Sequence, residues 1–436
     1  MQKSLPALAL LLALPAGTLP AAEASAQLIA PVLGDMTQWR RDLHQYPELS
    51  NREVRTSKFI AAELRRLGYE VRTDIAHTGV TGILKGGKPG PKLAIRADMD
   101  GLPVTEEVDL PFASRAHGEY LGKQVGVMHA CGHDAHMAMT LGVAAVLAAQ
   151  REALPGEVMF IFQPAEEGAP PGEEGGAPLM VKEGVFRDFK PDAIFGMHVV
   201  SALPVGTVAV REGGMMASSD TFHIIVQGRQ SHGATPWAGV DPIVTAAEIV
   251  TASQTIVSRK LDINKEPAVV TFGIFDGGSR FNIVPDRAEL HGTVRAFDED
   301  MRQQALASLR SIAEHIAAAH GASVQARIPL SVDSSNPVTY NDPALTRRLR
   351  ASLEAALGKD HVQEARRWTA SEDFPHLGRA LDIPSVYFFV GATPAGQDPA
   401  TAPSNHSPRF VFDEGALEIG SRAMLQAALD YLNVES

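Results

Sequence analysis

One cysteine, Cys131, stands in a chain of 436 residues. That count excludes an intramolecular disulfide framework. Basic runs are missing as well: 39 lysines and arginines lie scattered against 51 acidic residues, for a formal net charge of −12. No positive stripe or tail is left to hold a nucleic acid. Long apolar runs are also lacking. Leu5–Leu14 is the most apolar stretch, too short for the roughly 20 residues that cross a bilayer.

What is present at the N-terminus reads as a secretory signal. Lys3 gives a basic start, Leu5–Leu14 an apolar centre, and Ala24-Ser25-Ala26 a small-residue cleavage site. The expectation is a signal peptide over residues 1–26 and a periplasmic or secreted product with no stable membrane insertion. An exported chain normally uses cysteine for disulfides. A single thiol kept in an oxidising space is best protected by a bound metal.

The remaining ~410 residues suit two or three domains. Leu28–Leu43 and Arg52–Leu67 have helical periodicity, and Thr81–Lys85 and Lys92–Ala97 are strand-like. His133–Ala149 reads as a helix, Glu157–Gln163 and Ala193–His198 as buried strands with polar residues at their carboxyl ends. Such alternation predicts an α/β fold: an open sheet with helices on both faces and a site along one sheet edge. From about Met215 to Leu330 the order becomes β-α-β-β-α-β, a ferredoxin-like α+β unit. The expected organisation is a catalytic domain over 27–214 and 331–436, with residues 215–330 inserted as a lid or dimerisation domain.

The chemistry concentrates in a few places. Met128-His129-Ala130-Cys131-Gly132-His133-Asp134-Ala135-His136 puts a thiol and an imidazole on one tight turn. Glu166 and Glu167 follow a strand, so neighbouring side chains should point to opposite sides. One could bind metal while the other serves as general base. His198 and His406 are further imidazoles beside apolar strands. Singly, each has a bland reading: a surface or hydrogen-bonded histidine, a solvated glutamate pair, a small buried thiol. Together they point to a metal-dependent hydrolase.

Several segments make a family resemblance specific. They are Asp42–Ser50, Ile95–Pro103, Met128–Met137, Gln163–Gly168, Gly196-Met197-His198, Gly228–Ala234, Asn282–Pro285, Gly292–Arg295, Ser371–Phe374 and His406-Ser407-Pro408. In this order, across nearly all of the chain, they resemble the dinuclear metallopeptidases that include aminoacylase and glutamate carboxypeptidase. The likeness is strongest to the amidohydrolase branch with hippurate hydrolase and auxin-conjugate hydrolases.

The resemblance implies two divalent ions, zinc or manganese, held by Cys131, His133, Glu167, His198 and His406, with the Cys131 thiolate shared. It implies Glu166 as general base and His232, supplied by the partner subunit of a homodimer, as oxyanion donor. Asn282 and Arg295 would hold the free carboxylate of a small-molecule substrate. Asp98, Asp100, Asp134 and His136 would orient the ligands. The activity implied is hydrolysis of N-acyl-amino acids to a carboxylic acid and an amino acid. A dipeptidase or carboxypeptidase with the same site, and a catalytically silent binding protein, are the alternatives. Two departures stand out: Ala169–Gly175 lengthens the loop after Glu167, and Asn405 is polar where the family pattern is more apolar.

Overall fold

The computed structural model describes residues 20–331 and 335–433, and most of the expected signal segment lies outside them. Helices α1 (Ala21–Ile29), α2 (Leu33–Gln45) and α3 (Val54–Arg66) open the chain. The single helix expected over Leu28–Leu43 is split by a short turn containing Pro31, which has no N–H to give to a continuing helix. Ala24–Ala26 falls inside α1, where Ser25 is buried.

Strands β1 (Glu70–Ile75), β2 (Gly79–Lys85) and β3 (Lys88–Asp98) follow. Then come α4 (His133–Ala149), β4 (Pro155–Gln163), β5 (Ala193–Pro204) and β6 (Val208–Val210). The next elements are β7 (Ser219–Gln227), α5 (Pro242–Thr255), β8 (Ala268–Gly277), β9 (Arg287–Ala296), α6 (Glu299–Ala319) and β10 (Ser323–Arg327). Helix α7 (Pro343–Leu357), β11 (Val362–Glu364), β12 (Ser385–Thr393) and α8 (Gly415–Leu432) close the chain.

The chain divides into two compact units. The first holds the described residues up to Val210, then Ala344–Ala365 and the part from Val386 on. Its eight-stranded sheet has the order β1-β2-β4-β3-β5-β12-β6-β11. The central strands β4, β3 and β5 are parallel, whereas β1 and β2 run antiparallel. Residues 158–163 of β4 and 193–201 of β5 are buried without a break, which requires cover on both faces of the sheet. Part of that cover is α4, largely apolar on all sides beyond its first turn and buried from His133 to Leu147. Gly142 lets α2 approach closely: a Cβ there would stand 2.4 Å from the Met36 sulfur.

The second unit comprises Arg211–Pro343 and Arg366–Ser385. Its main sheet runs β8-β9-β7-β10, all antiparallel, which is the ferredoxin-like arrangement. Asp241 and Asp298 cap α5 and α6 by accepting from backbone N–H groups, each worth about 1 kcal/mol. Phe222, Ile224 and Val226 of β7, with Leu290 and Val294 of β9, face α5 and α6 as the core of this unit.

Candidate metal centre

Cys131, Gly132 and His133 make the tight turn that starts α4 in the first unit. Gly132 has φ +97°, and a Cβ there would come within 2.3 Å of Val199 Cγ2, so only glycine fits this turn. The His133 Nδ1 donates to the Asp100 carbonyl at 2.8 Å. That bond fixes Nδ1 as a donor and leaves Nε2, buried and without a hydrogen-bond partner, as the nitrogen open to a cation.

The glutamates arrive differently from the alternating-strand expectation. Strand β4 ends at Gln163, and Ala165 turns the chain with φ +52°. Both carboxylates therefore face the same imidazole: Glu166 Oε2 and Glu167 Oε1 each lie 3.9 Å from His133 Nε2. Asp100 holds this turn. Its carboxylate accepts from Glu166 N at 3.1 Å and Glu167 N at 3.0 Å, and from Ser50 Oγ at 2.8 Å. Buried Glu53 accepts from Ala165 N at 2.9 Å on the other side.

His198 lies inside β5, not at its end, because the strand runs on to Pro204 beside β12. Its Nδ1 donates to the Val199 carbonyl at 2.7 Å, and Nε2 stands 3.2 Å from Cys131 Sγ. His406, half-exposed, places Nε2 3.3 Å from the same sulfur and 3.1 Å from Glu167 Oε1. Two donor sets thus meet at one sulfur: Cys131, His133 and His198, and Cys131, Glu167 and His406. A thiolate shared by two triads is a sound bridge for two cations. All five expected ligands come together here.

The charges fit a cation. Burial, then the carboxylates of Glu167, Glu166 and Asp98, push the Cys131 thiol well above its usual range. Burial opposes charging of His133, but Asp98, Asp100 and Glu167 outweigh it and raise its pKa to about 10. A divalent cation must displace those protons. Apparent metal affinity should therefore rise with pH, by about tenfold per pH unit for each proton released. Competition titrations at a series of pH values check this, and a flat profile would contradict it.

Of the residues expected to orient ligands, Asp98 accepts from His136 Nδ1 at 2.6 Å and Arg96 at 2.7 Å. His136 Nε2 accepts from Val199 N at 2.8 Å, so both its nitrogens are spent and it holds the β5 backbone beside His198. Asp134 orients no ligand. It bonds Arg40 at 2.8 Å and His44 at 2.9 Å, and His44 reaches buried Glu106 at 3.1 Å. This buried charged cluster braces α2 against α4. Asn405 had no assigned role in the sequence. Its amide donates to the Cys131 and Val199 carbonyls at 2.9 and 3.0 Å and accepts from Ser201 N at 3.0 Å. Its polarity just before a candidate ligand was the available signal. The lengthened loop is tied down by Glu173, which bonds Arg52 at 2.5 Å and Asn51 at 3.1 Å.

His232, Asn282 and Arg295 belong to the second unit. His232 is exposed, in a two-residue strand paired with Ile283–Val284. Its Nδ1 accepts from Ala234 N at 3.0 Å, which places the ring proton on Nε2. Asn282 Oδ1 is buried without a hydrogen-bond partner, and the Asn282 carbonyl accepts from Gly233 N at 2.8 Å. Arg295 is half-buried on β9, and its pKa is pushed down by burial.

Residues 94–430 match the profile of a family described as peptidase family M20/M25/M40. Thermostable carboxypeptidase 1 of Saccharolobus solfataricus is 38% identical over 397 residues, covering 91% of this chain and 95% of its own. N-acetylcysteine deacetylase of Bacillus subtilis is 38% identical over 395 residues, covering 89% of this chain and 95% of its own. A Bacillus subtilis crystal structure, described as a dinuclear metal-binding peptidase of the M20 family, is similar with a TM-score of 0.75. It is 35% identical and covers 92% of this chain and 99% of its own.

Proposed function

The chain belongs to peptidase family M20/M25/M40 and is a metal-dependent hydrolase, and we propose that it cleaves the amide bond of N-acyl-amino acids to a carboxylic acid and a free amino acid. The observation that carries this reading is the turn after β4. It presents two carboxylates to one imidazole, and two carboxylates allow a division of labour.

Cys131, His133, Glu167, His198 and His406 would hold two divalent ions. The thiolate favours zinc by softness, while the carboxylate and imidazoles also suit manganese. Bound ions would polarise the scissile carbonyl and acidify the attacking water. Glu166 takes the proton of that water and returns it to the leaving amide nitrogen. Asp100 keeps Glu166 in place through its backbone N–H.

In the second unit, a protonated Nε2 suits His232 to donate to a developing oxyanion. The half-buried Arg295 guanidinium and the unpartnered Asn282 Oδ1 suit a substrate with a free carboxylate and a neighbouring N–H. Strand β8 supports a homodimer. It forms one edge of its sheet and exposes Val269, Ile274 and Phe275 along it. A second copy pairing at this edge would cover them. Light scattering of the active protein should give twice the chain mass, and a monomer would remove a role for His232 in trans. The N-terminal signature supports export, which cell fractionation checks.

The test is hydrolysis by zinc- or manganese-loaded protein of N-acetyl-, N-benzoyl- and long-chain N-acyl-amino acids beside several dipeptides. Release of free amino acid from one acyl class is the expected result. Cleavage of dipeptides alone would move the reading to a peptidase. No cleavage with either metal would sink it.

A further inference from the structure

The open face of the second unit's sheet carries a group of ligating side chains that the hydrolytic reading does not use. In the register of β7 and β9, His223 stands directly opposite His291, and Glu289 precedes His291 by two residues. All three project from the face opposite the apolar core, because their neighbours Phe222, Ile224 and Leu290 face the helices. The two imidazoles stack with centroids 3.9 Å apart and planes 13° from parallel. Glu289 Oε2 is 2.7 Å from His223 Nε2 and 3.8 Å from His291 Nε2. One nitrogen from each ring and one carboxylate oxygen lie within 4.8 Å of one another.

We propose that His223, Glu289 and His291 form a second, separate site for a divalent transition-metal ion, bridging β7 and β9. Two imidazoles and one carboxylate suit zinc, copper or nickel, and their affinity at such a set should peak at copper. An ion would turn the rings out of their stacked arrangement so that a nitrogen of each reaches the ~2.0–2.1 Å a zinc ion needs. Rotation about an sp³–sp² bond is soft, so that turn costs little. The strand pairing already holds the two histidines together, which lowers the entropy lost on binding.

The surrounding charges set a limit on the site. Arg287 bonds Glu289 Oε1 at 2.7 Å, and Arg327 is paired with His223 on β10. Arg287 takes Oε1, and an ion would displace the proton that His223 Nε2 shares with Oε2. With three protein ligands on an open face, water or a small anion would fill the remaining positions. The ion would act as a cross-strand brace, and hydrolysis would not depend on it.

The full-length chain and a His223→Ala/His291→Ala double variant are dialysed against low-micromolar zinc, and the bound zinc is measured. The expected result is one zinc fewer per chain in the variant, with hydrolysis by the loaded protein unchanged. Because the readout is a difference between two proteins, it holds however many ions the catalytic centre takes. Added at one equivalent to zinc-loaded protein, copper should give a nitrogen-coordinated signal in the paramagnetic resonance spectrum that the likewise zinc-loaded variant lacks. Glu289→Gln, which keeps the side-chain size, should weaken this binding by about tenfold or more and covers the case of a misfolded double variant. Equal zinc content in wild type and variant, or a copper spectrum unchanged by Glu289→Gln, overturns the proposal.

Discussion

Glu166→Gln is expected to lower turnover of an N-acyl-amino acid by about 10²–10⁴-fold while bound metal stays at the wild-type level. Glutamine keeps the size of the side chain and the backbone N–H that Asp100 holds at 3.1 Å. What it loses is the ability to take up and release a proton. Glu167, on the same turn, has its own contact with His406 at 3.1 Å and stays in place. Turnover and metal content of the same preparation are therefore the paired measurements. If metal content falls along with activity, Glu166 is a ligand and the assignment of the two glutamates is reversed.

Gly132→Ala should be comparably damaging, for a steric reason. A non-glycine residue in the left-handed region costs roughly 1–2 kcal/mol. That alone is tolerable, since Ala165 and His406 occupy it with φ +52° and +70°. Gly132 differs in having φ +97° and in the 2.3 Å between a new Cβ and Val199 Cγ2. Relief of that contact must move either the Cys131–His133 turn or the β5 segment next to His198. Both carry expected ligands. The expected outcome is a lower melting temperature and metal binding weakened by at least about tenfold. Gly168→Ala supplies the control. It has φ +105° but nothing within 4 Å of a new Cβ, so it should cost backbone strain while leaving metal binding nearly intact. Equal metal affinity in wild type and Gly132→Ala would show that the turn relaxes without disturbing its ligands.

Much of this architecture was legible where local signals agree. His133–Ala149 was readable to the residue, because glycine precedes it and its interior is small and apolar throughout. The β-α-β-β-α-β order of the second unit followed from the alternation of strand-type and helix-type periodicity along residues 215–330. The candidate ligands could be named together because Cys-x-His, paired glutamates and two histidines occur in one family order, and the structure gathers them around one sulfur. What stayed hidden was long-range or conformational. Strand alternation puts Glu166 and Glu167 on opposite sides, but it stops applying after Gln163, where the left-handed Ala165 resets direction. Periodicity ends the strand at His198 because it cannot foresee a neighbour such as β12, beside which the strand runs on. The Asp134 contacts join residues 94 and 90 positions apart, and no local pattern encodes them. Asn405 bonds groups 274, 206 and 204 positions away, which makes its polarity intelligible only in three dimensions.

That last set of bonds has a consequence for biosynthesis. The donors that converge on the Cys131 sulfur span residues 131 to 406, and the chain builds the whole of the second unit between them. A ribosome that has made everything up to β10 has supplied Cys131, His133, Glu167 and His198 but not the triad that includes His406. Partial chains can offer one half of the centre only. With the metal held by these donors, its tight retention would report that translation has passed His406 and that the returning segment has docked.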